Sequence, residues 1–303
     1  MRGVSVPELT PTTASITLVI GGAMWGLFWI PVRFFLDYGL SGAWPGIVMY
    51  TATILVLLPF YWPQRRSLVS NWRALVLSGA FTGAAFSLFT TSLGYTDVAR
   101  AILLFYLTPI WGTVLGLIFL GERLNANRIF AVLLGVGGLF VVLGGGAGLP
   151  WPQNSGDWLA LISGMTWAVG TLGLYKASGV TASGQVFAFV IGALFVSILS
   201  LGPLYLSGEA DPNPATLLAV SPFAVLSVIY VIPMMFLTVW PATFLPPARV
   251  GLLLMSEVVV GLLTAAAFAG EHFGLREAIG AVLIVGAAVV EVVRTNEPGP
   301  AKP

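Results

Sequence analysis

Ten apolar stretches of about twenty residues follow one another along the chain, each closed by a short polar turn. They fall near 15–35, 43–62, 73–95, 98–120, 128–146, 157–176, 184–206, 221–241, 248–269 and 275–294. A run of that length spans about 30 Å of hydrocarbon as a helix, and in lipid every backbone N–H and C=O must be paired within the chain. Short alternating strands are absent, so the expected fold class is all-α integral membrane, with ten transmembrane helices. The composition agrees: 57% of the residues are hydrophobic and 8% are charged, against about 25% charged in soluble domains. The first stretch is too long for a signal-peptide core and is expected to remain as a helix.

The stretch from Ala99 to Gly145 returns, altered, from Ala248 to Arg294. At a constant offset of 149, Ala99, Arg100, Gly112, Phe119, Gly121, Glu122 and Gly137 meet Ala248, Arg249, Gly261, Phe268, Gly270, Glu271 and Gly286. At an offset of 142, Gly22, Trp25, Ser41 and Gly42 meet Gly164, Trp167, Ser183 and Gly184. Shared Ala-Arg and Gly-Glu pairs around a helical hairpin identify a duplication. Five helices is an odd number, so the second half enters the bilayer from the opposite side to the first. Two inverted five-helix repeats are the plan of secondary transporters, with a midplane site between halves. The expected division is 1–147 for the first half, 148–156 for an external linker, 157–296 for the second half and 297–303 for a cytoplasmic tail.

Lys and Arg set the orientation. With the amino terminus inside, Arg2, Arg65, Arg66, Arg73, Arg123, Arg128, Lys176, Arg249, Arg294 and Lys302 are cytoplasmic, leaving Arg33, Arg100 and Arg276 outside. Both termini are then cytoplasmic. A net charge of +1 suggests no nucleic-acid partner, and the absence of Cys removes thiolate chemistry. The glycines at 144–146 lack the Lys-Ser/Thr of a phosphate loop, so no ATP site and no cofactor are expected. The lone His272, in a predicted external turn, makes no metal site. A membrane enzyme would need paired carboxylates, a His-rich helix or a metal cluster, and none is visible. A channel would gather a ring of like residues by oligomeric symmetry, whereas an internal two-fold gives one chain a central path. Oligomeric state is not legible.

With these features in place, the chain resembles the EamA branch of the drug/metabolite transporter superfamily over nearly its whole length. The matching residues are Trp25 and Trp167, the stretch Leu107-Thr108-Pro109 to Leu120-Gly121-Glu122, and Ser256-Glu257-Val258 to Ala269-Gly270-Glu271. Family members usually carry Glu-Pro where this chain has Glu257-Val258. Ser92-Leu93-Gly94-Tyr95 and Tyr106-Leu107 look like the YddG-type exporters of aromatic amino acids. The resemblance implies export of amino acids, aromatic or large neutral ones, from a bacterial inner membrane. The branch also contains exporters of other metabolites and drugs.

Candidate binding residues follow from depth. Trp25 and Trp167 are about ten residues into their helices, roughly 15 Å deep, either packing or lining a midplane cavity. Trp44, Trp62, Trp72, Trp151, Trp158 and Trp240 sit near predicted helix ends, as interfacial belts require. Tyr106 and Thr108 flank Pro109, which frees the Phe105 carbonyl and is expected to kink the helix and turn backbone oxygen toward a cavity. Their repeat partners run from Met255 to Val258 and include Glu257, the most deeply placed carboxylate. A charge there costs some 2.5–3.5 kcal/mol on insertion scales. Three roles stay open for Glu257: a contact for a substrate ammonium, a proton-coupling group, or a hydrogen-bonded structural carboxyl. Ser87 and Thr91 lie on a polar stripe that faces either a cavity or a neighbouring helix, with Tyr95 beyond it; Tyr230 completes the set. Glu122 and Glu271 are expected to fix their hairpins. The implied partners are a small-molecule substrate and the lipid bilayer.

Overall fold

In a computed structural model of the chain, the residues described are 9–92, 95–96, 98–124, 126–143, 151–177, 180–202, 212–268 and 273–293. The turn at Glu271 and His272, residues 148–150 of the linker and the tail lie outside them. All the regular structure among them is helical. The first half comprises α1 (Pro11–Trp25), α2 (Trp29–Asp37), α3 (Trp44–Tyr61), α4 (Arg65–Ser70), α5 (Trp72–Leu75), α6 (Phe81–Ser92), α7 (Val98–Phe105), α8 (Thr108–Phe119) and α9 (Ala126–Leu143). After it come α10 (Ser155–Lys176), α11 (Ala182–Leu199), α12 (Pro214–Ala242), α13 (Pro247–Leu254), α14 (Ser256–Phe268) and α15 (Leu275–Val293).

Among the described residues, eight stretches are long and apolar enough to cross a membrane: 11–37, 44–70, 72–92, 100–119, 155–176, 182–199, 214–242 and 247–268. The remaining two expected spans are α9, whose apolar length is shorter, and α15, which carries Arg276, Glu277 and Glu291. Those charges are paired. Glu291 is fully buried and accepts from Arg249 Nε at 2.8 Å, and Arg276 and Glu277 lie within 3.0 Å of each other. α9 and α15 pack on each other along their lengths.

Several stretches read as continuous helices are in fact broken. The first is interrupted at Gly26–Phe28, where Leu27 and Phe28 donate to Met24 O and Trp25 O in tightened i→i−3 turns. The fourth breaks between α7 and α8, with Leu107 N on Leu104 O and Ile110 N on Leu107 O. The ninth breaks at Met255, whose N–H reaches Leu252 O while Val258 N reaches Met255 O. Tyr106 and Met255 stand 149 residues apart. Pro109 explains the first of this pair, because it lacks an amide and cannot continue α7. Val258 occupies the corresponding place in the second, so proline is not required for that break. A π-helical turn at Val76–Ala80 joins α5 to α6.

Small residues let these helices meet backbone to backbone, as membrane helix packing favours. A Cβ on Gly112 of α8 would stand 2.7 Å from Ala248 N on α13, and one on Gly164 of α10 would stand 2.6 Å from Phe105 O. A Cβ on Gly26 would stand 2.6 Å from Glu257 O. Gly112→Leu is therefore expected to prevent assembly: with backbone on the far side nothing can rotate away, and the yield of monodisperse protein in detergent should collapse while Gly137→Leu, at a glycine with open space around it, is tolerated.

Candidate functional site

The breaks at Gly26–Phe28, Tyr106–Leu107 and Met255 come together at one level, and Glu257 sits where they meet. Tyr106 donates its hydroxyl to Glu257 Oε2 and also lies 3.3 Å from Leu254 O. Tyr230, near the centre of α12, donates to Met24 O at the end of α1. Carbonyls at a helix break need donors, since an unpaired backbone group in hydrocarbon costs several kcal/mol; Tyr106 reaches Leu254 O, and Tyr230 adds a second donor to Met24 O, which also accepts from Leu27 N. Glu257 is half-buried. Among the described residues no Lys or Arg lies within ion-pair distance of it, so its polar partner in the protein is a phenol.

Beside this polar centre lies an aromatic cluster. Trp25 packs on Phe86 at 4.3 Å between centroids and on Phe28 at 5.4 Å. Phe189 of α11 touches both tryptophans, Trp25 at 6.3 Å and Trp167 at 6.4 Å. Phe105 bridges Trp167, at 6.5 Å, to Tyr106, at 5.0 Å. The two tryptophans differ in their polar edge. Trp25 donates its indole N–H to Thr238 Oγ1 at 2.8 Å, whereas Trp167 Nε1 and, one turn earlier on the same face of α10, Ser163 Oγ are buried with no hydrogen-bond partner among the described residues.

This asymmetry gives a prediction. Trp25→Phe strips Thr238 of its donor and is expected to cost about 1 kcal/mol of stability. Trp167→Phe loses no protein hydrogen bond and should leave the melting temperature unchanged. Thermal unfolding of the two variants in detergent, side by side, checks it.

The structure gathers Trp25, Tyr106, Thr108, Trp167, Tyr230, Met255 and Glu257 into this region but does not gather the others. Thr108 Oγ1 donates to Phe105 O at 2.5 Å and lies 3.4 Å from Gly164 O. The Phe105 carbonyl, expected to face a cavity, is instead taken by its neighbour's hydroxyl. A Thr just past a freed carbonyl can close that bond locally. Met255 is fully buried at its break. Ser87 bonds Ser197 Oγ at 2.9 Å and Thr91 bonds Ser200 Oγ at 3.1 Å, so the polar stripe of α6 faces α11. Tyr95 lies beyond the end of α6, 40% exposed. Phe28, Phe86, Phe105 and Phe189 were not singled out from the sequence. Their mid-helix depth is the signal that would have found them.

Two ionic networks close the ends. At one, buried Asp157 accepts from Arg100 Nη2 at 2.6 Å, Thr96 Oγ1 at 2.5 Å and Gln153 N at 2.9 Å, while Arg100 also reaches Trp151 O. At the other, Glu122 holds Arg128 at 2.5 Å across its hairpin, and Lys176 donates to Phe119 O at 3.0 Å. Gly121 has φ +64°, the left-handed conformation that lets the chain turn there.

The profile of the EamA-like transporter family matches residues 12–144 and again 154–292. A Bacillus subtilis (strain 168) protein described as the uncharacterized transporter YvbV is 25% identical over 195 residues, which cover 63% of this chain and 64% of that one. The alignment thus spans slightly under two thirds of that relative's length. A solved crystal structure, 20% identical, covers 94% of this chain and 97% of its own with a TM-score of 0.68, so the two share a fold. The family match runs through all three breaks, both tryptophans and the half-buried Glu257, and the chain belongs to the EamA-like transporter family.

Proposed function

We propose that this transporter exports amino acids, preferentially aromatic or large neutral ones, by alternating access around the Glu257 region. Its ten helices would form two inverted halves, 1–147 and 157–296, that rock about the helix breaks. Both termini would lie in the cytoplasm of a bacterial cell. The observation that carries this reading is the juxtaposition of a carboxylate without a cationic partner and an aromatic cluster bounded by Trp25 and Trp167. An ammonium would bind Glu257, an aromatic or branched side chain would pack on the rings, and the N–H of Trp167 would meet a carboxylate oxygen. The energy would come from a solute or ion gradient, with Glu257 as the group that exchanges a proton for a substrate ammonium.

The test is uptake of labelled tryptophan, phenylalanine, threonine and glutamate into proteoliposomes, with and without a pH gradient. Saturable movement of the aromatics above threonine and glutamate supports the assignment. Movement of an organic cation alone, with no amino acid carried, would replace it with a cationic drug or metabolite, which a carboxylate flanked by rings would also hold.

A further inference from the structure

A second cavity lies outside this site, on the flank where α3, α4 and α5 meet α11. Its volume is about 480 Å³, within the range of roughly 300–1,000 Å³ for small-molecule sites. Ala80, Gly184 and Ala188 offer little side chain and so leave room between the apolar residues that line it, Leu58 and Ile191 among them. The back wall is rigid. Tyr61 stacks on Phe187 at 4.6 Å and 15° between planes, and its hydroxyl donates to Ser183 O at 2.9 Å, tying the end of α3 to the start of α11.

The rim has a different chemistry. Trp62 and Trp72 stand at the mouth, 60% and 56% exposed, as interfacial tryptophans do at headgroup level. Arg65 lies over the Trp62 ring at 5.0 Å and Arg73 over Trp72 at 5.5 Å, with Arg66 between them in sequence. The segment 62–73, WPQRRSLVSNWR, holds three arginines and no acid. Among the described residues no carboxylate is within ion-pair distance of Arg65, Arg66 or Arg73. Apolar depth beneath a cationic, tryptophan-edged mouth matches an acyl chain below an anionic headgroup, and basic pockets between membrane helices recognise acidic lipids in this way.

We propose that this groove binds an acidic diacyl phospholipid from the adjoining leaflet, one acyl chain against Leu58, Ala188 and Ile191 and the phosphate among Arg65, Arg66 and Arg73. The lipid would touch α3 and α5 together with α11, and so rest on elements of both halves.

Native mass spectrometry of the full chain, released from detergent with equimolar phosphatidylglycerol and phosphatidylcholine, tests this. The wild type should retain phosphatidylglycerol preferentially. Each arginine is worth about fivefold near an anionic surface, so the R65Q/R66Q/R73Q variant should lose about a hundredfold in that preference. Ile191→Trp, at a position 44% exposed, fills the groove while leaving the arginines in place, and should lose the lipid with an unchanged melting curve. Equal retention of the two lipids by the wild type would overturn the proposal, as would undiminished phosphatidylglycerol binding by Ile191→Trp. Displacement of the lipid by inorganic phosphate alone would also overturn it, by making the site one for a soluble anion.

Discussion

Glu257→Gln is expected to reduce affinity for an amino-acid substrate by about ten- to a hundredfold, the worth of one hydrogen bond to a charged group, about 1.5–3 kcal/mol. The substitution preserves shape and leaves an amide oxygen to accept from Tyr106, so melting should stay close to wild type. What changes is the charge and the capacity to release a proton. Transport with and without a pH gradient, together with substrate exchange at equal pH, separates the three roles open for this residue. If Glu257 holds the ammonium, exchange and gradient-driven flux fall together. If it serves only to couple, exchange persists and the response to pH vanishes. If it is only a hydrogen-bonded carboxyl, neither moves, and the proposed substrate site loses its polar half. Tyr106→Phe provides the comparison, since it removes the phenol donor and keeps the carboxylate.

Asp157→Asn should produce the largest loss of stability, about 3–5 kcal/mol, as breaking one side of a buried ion pair does. Asp157 is fully buried and Arg100 is 12% exposed, so water compensates the guanidinium charge poorly once the carboxylate is gone. The carboxylate also collects Thr96 Oγ1 and Gln153 N, and Asn154 caps α10 by accepting from Asp157 N at 2.8 Å. This knot joins the start of α7 to the start of α10, and with them the two matched segments of the family profile. Arg100→Gln is expected to cost a similar amount, and the double variant less than the sum, because each single change already abolishes the pair. Thermal unfolding in detergent at one protein concentration gives all three values. Equal stability of Asp157→Asn and wild type would mean that the knot is solvated and contributes little.

The mid-helix carboxylate and both tryptophans could be picked out beforehand because depth in a membrane helix is a count of residues from a polar end. Glu257 is costly wherever its helix lies, which marks it without any knowledge of its neighbours. The polar stripe of α6 was less decisive. Ser87 and Thr91 lie on one face, and that face is satisfied by Ser197 and Ser200 of α11, a fact that depends on how two helices are rotated against each other. The break at Met255 carried no warning at all, for nothing there has the stereochemistry of Pro109. The phenylalanines between the tryptophans share the signal of mid-helix depth, but which of them face one another was decided only by how the helices pack.

The sequence by itself determined that the chain is helical and in a membrane, and which carboxylate is out of place in hydrocarbon. Each of these is a property of composition, period or position along one segment. Only the tertiary structure decided that the helices break at the level where they cross, that Tyr106 and Tyr230 answer Glu257 and the Met24 carbonyl, and that Arg249 meets Glu291. Those pairings join residues 42 to 206 positions apart, and at such separations they are fixed by the angle and rotation of packed helices, which no local pattern encodes.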